Sequence, residues 1–171
     1  MQILRCTAKL AREMGLRPPD LHYESLTSGL LAQWHANLLH INRRKTVLFV
    51  NDRTLFNFVV LDVSRRDIQR LPELFLSHFS CVIADENIPK EIRAKILSEY
   101  SDLRIAKSAN RSVLGSANDI ALHYKYSILD AGGVHSPEVP EIIRKMNRMP
   151  LQAIKYKFPI EELRNLYAFA V

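Results

Sequence analysis

The chain is short of the residues that carry the most recognisable chemistry. Its 171 residues include five glycines, two cysteines and one tryptophan. No G-x-x-x-x-G-K-[ST] or G-x-G-x-x-G run occurs, so a glycine loop that cradles phosphate is not expected. Cys6 and Cys81 form no CxxC pair and have no histidine cluster beside them. That argues against a disulfide framework and a cysteine-based zinc site. Both are expected to pack as small hydrophobes. No apolar run approaches the ~20 residues that span a bilayer. The opening Met1-Gln2-Ile3-Leu4-Arg5-Cys6-Thr7 lacks the basic segment and following apolar run of a signal peptide. A cytoplasmic protein without a membrane association is expected. Internal repeats, low-complexity tracts and linkers are missing too, which favours one domain over residues 1–171.

What the chain does contain is ordinary for a globular protein: 47% apolar and 25% charged residues. A chain of this size buries about two thirds of its unfolded surface and needs no metal or disulfide to fold. The formal charge is +6. Residues 1–53 and 103–171 each carry +4, and residues 54–102 carry −2. Such a protein can turn a basic face to an anionic partner, nucleic acid included. The same charge also serves solubility alone.

The pattern predicts α+β. Residues 2–6 read as a strand and Thr7–Met14 as a short helix stopped by Gly15. From 35 to 63 lies an antiparallel meander: strands at His35–Asn42, Thr46–Val50 and Thr54–Val63, joined by turns at Arg43-Arg44-Lys45 and Asn51-Asp52-Arg53. Both faces of the third strand are apolar, so helices or a second copy of the chain must cover them. Ser64 and Asp67 form a capping-box pattern, and Pro72 restarts a helix. Helices are expected from Ile88–Pro89 to Tyr100, over 111–131 up to Gly132-Gly133, at 141–147 and from Pro159 to Phe169. Short strands are expected at Leu103–Ala106 and Leu151–Phe158. In the second, Ile154, Tyr156 and Phe158 would face inward and Lys155 and Lys157 outward. The expected architecture is an antiparallel meander packed against several helices.

Three groups of residues invite chemistry. On the 111–131 helix, Ser112, Ser116, Asp119 and His123 form a polar stripe, and Gly115 suggests close approach by another element. Ser116 and His123 lie ~10 Å apart along the helix axis with Asp119 between, the wrong order for a hydrolase relay. A basic group comprises Arg43, Arg44 and Lys45 at a hairpin tip, with Lys155 and Lys157 on a strand face; these are the candidate anion-binding residues. Third, Trp34 and its neighbours read as a core anchor or a pocket wall. The histidines form no HxxxH or HExxH motif, and no metal or other cofactor is expected.

Several phrases, taken together, resemble a known family. They are Met1–Thr7, Trp34-His35-Ala36-Asn37, Phe49-Val50-Asn51-Asp52 with Thr54-Leu55-Phe56, and Arg111-Ser112-Val113-Leu114-Gly115-Ser116 with Asn118-Asp119. The chain resembles, over residues 1–130, a family of small bacterial proteins known as a domain of unknown function. The resemblance implies a compact bacterial protein and carries no activity, cofactor or catalytic residue. It nominates a polar site: Trp34, His35, Asn37, Asn51, Asp52, Arg111, Ser112, Ser116, Asn118 and Asp119. Asn118-Asp119 would meet Asn51-Asp52 if the helix packs on the meander. Three readings follow. The first is an interaction or regulatory module that binds an anionic partner such as nucleic acid. The second is a small enzyme using Arg111, Ser116, Asn118 and Asp119. The third is a structural protein that forms homo-oligomers through residues 54–63.

Overall fold

The computed structural model describes residues 1–17, 20–21, 27–108 and 111–168, without the side chains of Arg111 and Ser112. Its strands are β1 (Gln2–Cys6), β2 (Gln33–Ile41), β3 (Arg44–Asn51), β4 (Asn57–Val60) and β5 (Leu103–Lys107). Its helices are α1 (Ala8–Met14), α2 (Arg65–Gln69), α3 (Leu71–Asp85), α4 (Lys90–Ser98), α5 (Arg111–Asp130), α6 (Val139–Met146) and α7 (Pro159–Ala168). The strands form one sheet in the order β4-β3-β2-β1-β5. The fold is α+β, and β2, β3 and β4 are the antiparallel meander. The sheet as a whole is mixed, because β1 lies between β2 and β5 and runs parallel to both. A parallel neighbour needs a crossover, and α1 lies in the connection from β1 to β2.

Helices cover both faces. Trp34, Phe49 and Phe58 point one way, where Phe75 and Phe79 of α3 meet them with ring centroids 5.0 Å from Trp34. The Trp34 indole N–H donates to Leu31 O (3.1 Å) and to the Tyr100 hydroxyl (2.8 Å), so its polar edge is satisfied within the core. On the other face α5 packs on β2, presenting Val113, Ala117, Ile120, Tyr124 and Ile128, all buried. Residues 57–60 therefore need no second copy to bury their two apolar faces. The Ser64–Asp67 capping box forms as read. Helix α5 ends before Gly132 (φ 100°) and Gly133 (φ 104°), whose amides return to Leu129 O and Ile128 O.

One polar knot locks the last helices to the edge of the sheet. The buried Asn147 carboxamide accepts from Asn57 N–H (2.9 Å) and donates to Asn57 C=O (2.7 Å) and Ile143 C=O (3.0 Å). The buried Tyr124 hydroxyl donates to Asn57 Oδ1 at 2.7 Å. Burial pushes the Tyr124 phenol well above its ordinary range. Close by, the buried Glu86 carboxylate receives both terminal nitrogens of Arg148, at 2.6 and 3.0 Å.

The structure corrects several expectations. Arg44 and Lys45 belong to strand β3, and only Asn42 and Arg43, both with positive φ, form the turn. The third meander strand is shorter than 54–63, because Leu55 (φ 56°) and Asp62 (φ 51°) leave the extended conformation on either side. Residues 151–158 are not a strand. A 3₁₀ turn at Gln152–Ile154 and positive φ at Lys155 and Tyr156 fold them back, leaving a single bridge, Leu151 to Lys157. Tyr156 is consequently 67% exposed and does not face inward. Cys81 is exposed, whereas Cys6 is buried. Among the described residues nothing lies within 4 Å of where a Gly115 Cβ would stand, so no described element approaches it.

Asn147→Ala removes the partner of both Asn57 main-chain groups while leaving the helix intact. The expected loss is about 2–4 kcal/mol of stability, read from urea unfolding.

Candidate functional site

Strand lengths create a crevice at the centre of the sheet. Strand β1 ends at Cys6, opposite Ala36, so among the described residues β2 from Asn37 to Ile41 pairs only with β3. In that ladder Ala36 C=O turns away from β3, accepting from Thr7 N–H. By the same alternation, the main-chain groups of Leu38 and His40 turn to the open side. Helix α1 leaves β1 toward the Trp34 face and α5 leaves β5 toward the opposite face. This divergence at the carboxyl ends of two adjacent parallel strands is where open sheets form ligand crevices.

The crevice has a volume of about 330 Å³. Lys9 of α1 stands on one side, Asn118, Leu122 and Lys125 of α5 on the other, and β2 with His40 forms the floor. The Lys9 ammonium lies 3.2 Å from His40 Nδ1. Partial desolvation, and then the charges of Lys9 and Lys45, hold the His40 ring below its ordinary pKa; Glu13 opposes them. Glu13 in turn accepts from Lys45 at 2.7 Å and feels Arg65 as well. The local field is therefore set by several cations around one carboxylate.

The residues nominated by sequence do not form a single site. Trp34 is wholly buried in the aromatic core. On the opposite face, His35 Nδ1 lies 2.7 Å from Asp52 Oδ1, and His35 Nε2 is buried with no hydrogen-bond partner among the described residues. Asn51 builds the turn that holds Asp52: its Oδ1 accepts from Arg53 N–H, Thr54 N–H and the Thr54 hydroxyl, each at 3.1 Å, and its Nδ2 donates to Gln33 C=O. Asn37 accepts from the Thr7 hydroxyl at 3.4 Å. Ser116 and Asp119 open onto a separate groove walled by Leu151, Gln152 and Ala153, while Asn118 lines the crevice. Asn118 and Asp119 thus face grooves to which the Asn51 turn does not contribute. Arg111 and Ser112 start α5, and their side chains lie outside the described residues.

The nominated cations also divide. Arg44 pairs with Asp62 at 3.4 Å, Lys45 with Glu13, and Lys157 with Glu162 at 3.1 Å. Arg43 is exposed at the hairpin tip and Lys155 at the tight turn. Lys9, His40 and Lys125 were not singled out by sequence, since they come from three separate elements and share no motif. Among the described residues, no group of three or more His, Cys, Asp or Glu side chains is placed to hold a metal. No helix there is long and apolar enough to cross a membrane.

The profile of the DUF6933 family, a domain of unknown function, matches residues 3–162, and the chain belongs to that family. No curated protein and no solved structure matches the chain.

Asp52→Ala leaves both ring nitrogens of the buried His35 without a partner. We expect a loss of about 1–3 kcal/mol in denaturant unfolding, with the far-ultraviolet circular dichroism of the native state retained.

Proposed function

We propose that the protein is a binding module for a phosphate-bearing partner, taken in the crevice between α1 and α5, with single-stranded nucleic acid as the favoured partner. The observation that carries this reading is the pair of lysines, Lys9 and Lys125, facing each other across an open strand edge with His40 between them. A bare strand edge offers N–H donors to an oxygen-rich ligand, and ammonium groups supply the charge. Beside Lys125, Leu122 is 52% and Tyr126 is 58% exposed on the same stretch of α5. An exposed ring next to a cationic groove favours a ligand with stacked bases over inorganic phosphate alone.

One observation favours a second reading, an enzyme with His35 as general base: a carboxylate holds its Nδ1 while Nε2 is unpaired. That reading requires reagent access to Nε2. Carbethoxylation of His35 in the native protein, mapped by mass spectrometry, supports it, and protection of His35 while exposed histidines react rejects it.

The binding reading is tested by anisotropy with labelled single-stranded DNA and RNA at several salt concentrations. Lys9→Glu and Lys125→Glu should each weaken binding about tenfold or more and lower the salt slope, whereas Arg17→Glu, outside the crevice, should not. An anion beside His40 must raise the depressed pKa of the ring. Binding then takes up a proton, so affinity should rise as pH falls from the ring's liganded pKa to its free value and level off below it. Wild-type binding that is absent at low salt, or unchanged in both lysine variants, overturns the proposal.

A further inference from the structure

A second cavity, of about 370 Å³, lies at the β4 edge of the sheet, away from the crevice. Its floor is β4 and Leu61; Val82 and Cys81 of α3 form one wall, and Val139 and Ile143 of α6 the other. The edge has a definite hydrogen-bonding phase. Phe56 C=O accepts from Asn51 N–H across the β3–β4 ladder, so in the ladder register Phe58 and Val60 turn their main-chain groups toward β3. Asn57 and Val59 turn theirs outward. At Asn57 the outward N–H and C=O are both taken by the carboxamide of Asn147, in the positions a neighbouring strand would occupy. Two residues further on, β4 has no strand beyond it, and no described residue bonds the outward groups of Val59.

We propose that this cleft is a peptide-binding groove, in which a short extended apolar segment continues the amide pairing begun by Asn147 and bonds to Val59. Main-chain pairing at an unpaired sheet edge, with apolar walls for alternate side chains, is the general mode of strand addition; Val59 is only 4% exposed, so the segment must enter the cleft to reach it. The chemistry selects an amide. An apolar molecule without one would cover the donor and acceptor of Val59 and leave both unsatisfied, at a cost that disfavours it.

Cys81 is a built-in reporter, because it lines the cleft and is exposed while Cys6 is buried. The probe is N-acetyl-trivaline amide at millimolar concentration, added to the full chain. Pairing predicts a downfield shift and slower hydrogen exchange for the Val59 amide, together with slower alkylation of Cys81 by iodoacetamide. Both effects should be lost with the N-methylated peptide, which keeps the apolar surface and lacks the donors. They should also be lost in Val139→Trp, which fills the groove; the N-methyl comparison needs no variant and holds even if that protein folds poorly. Absence of both effects in the wild type overturns the proposal. So does equal protection of Cys81 by the N-methylated peptide or by cyclohexanol, which would reduce the cleft to an apolar hollow.

Discussion

Register in a β-sheet is decided by which face of a strand must be buried, and in β2 that decision rests on Trp34. Its ring is enclosed by Phe58, Phe75 and Phe79, and its N–H is bonded to Leu31 and Tyr100. A slip by one residue would drive this indole into the opposite layer and bring His35 into the aromatic cluster. With Trp34 fixed, His35 must face α5, where Asp52 meets it. His40, five residues along, must return to the α1 side, where Lys9 and Lys45 meet it. The polar positions on β2 therefore follow from one apolar one.

Because helices cover both faces of the sheet, little of it is left to face solvent. The places left for recognition are strand ends and strand edges. The crevice exists because β2 outruns β1, and the cleft because β4 is the last strand on its side. Each presents main-chain groups that have no neighbouring strand among the described residues. Where the protein has no use for an open edge it closes it, as Asn147 does at Asn57.

The sequence displays the meander clearly, since its β-branched and aromatic residues are concentrated and its turns are short. The parallel half is hidden. Nothing in Gln2–Cys6 names β2 or β5 as a partner, because register across a crossover is decided by tertiary packing and not by a turn. The 151–158 stretch alternates like a strand, yet two residues there adopt the left-handed conformation and the alternation is spent on a tight turn. Gly115 reads as a contact point and is simply exposed. At the candidate sites, Asn118 and the His35–Asp52 pair lie among the residues that short phrases single out. Lys9, His40 and Lys125 do not, because three isolated cations become a group only after β1 stops short. Val59 was visible only as apolar; its unpaired groups belong to the main chain, on which side-chain patterns are silent.

The position of β1 has a consequence for how the chain reaches this arrangement. Of the five strands described, the earliest in chain order is an inner one, and one of its two neighbours is β5: the Arg5 guanidinium donates to Lys107 C=O, 102 residues away. The hairpins of residues 33–60 close through local contacts and can form while synthesis continues. Until β5 emerges, β1 has an unpaired side, and so does the growing sheet. Contacts of such long sequence separation slow folding and prolong exposure of strand edges. The pairing of β1 with β5 therefore spans the meander and the three helices α2, α3 and α4, and it closes only after those residues have been made.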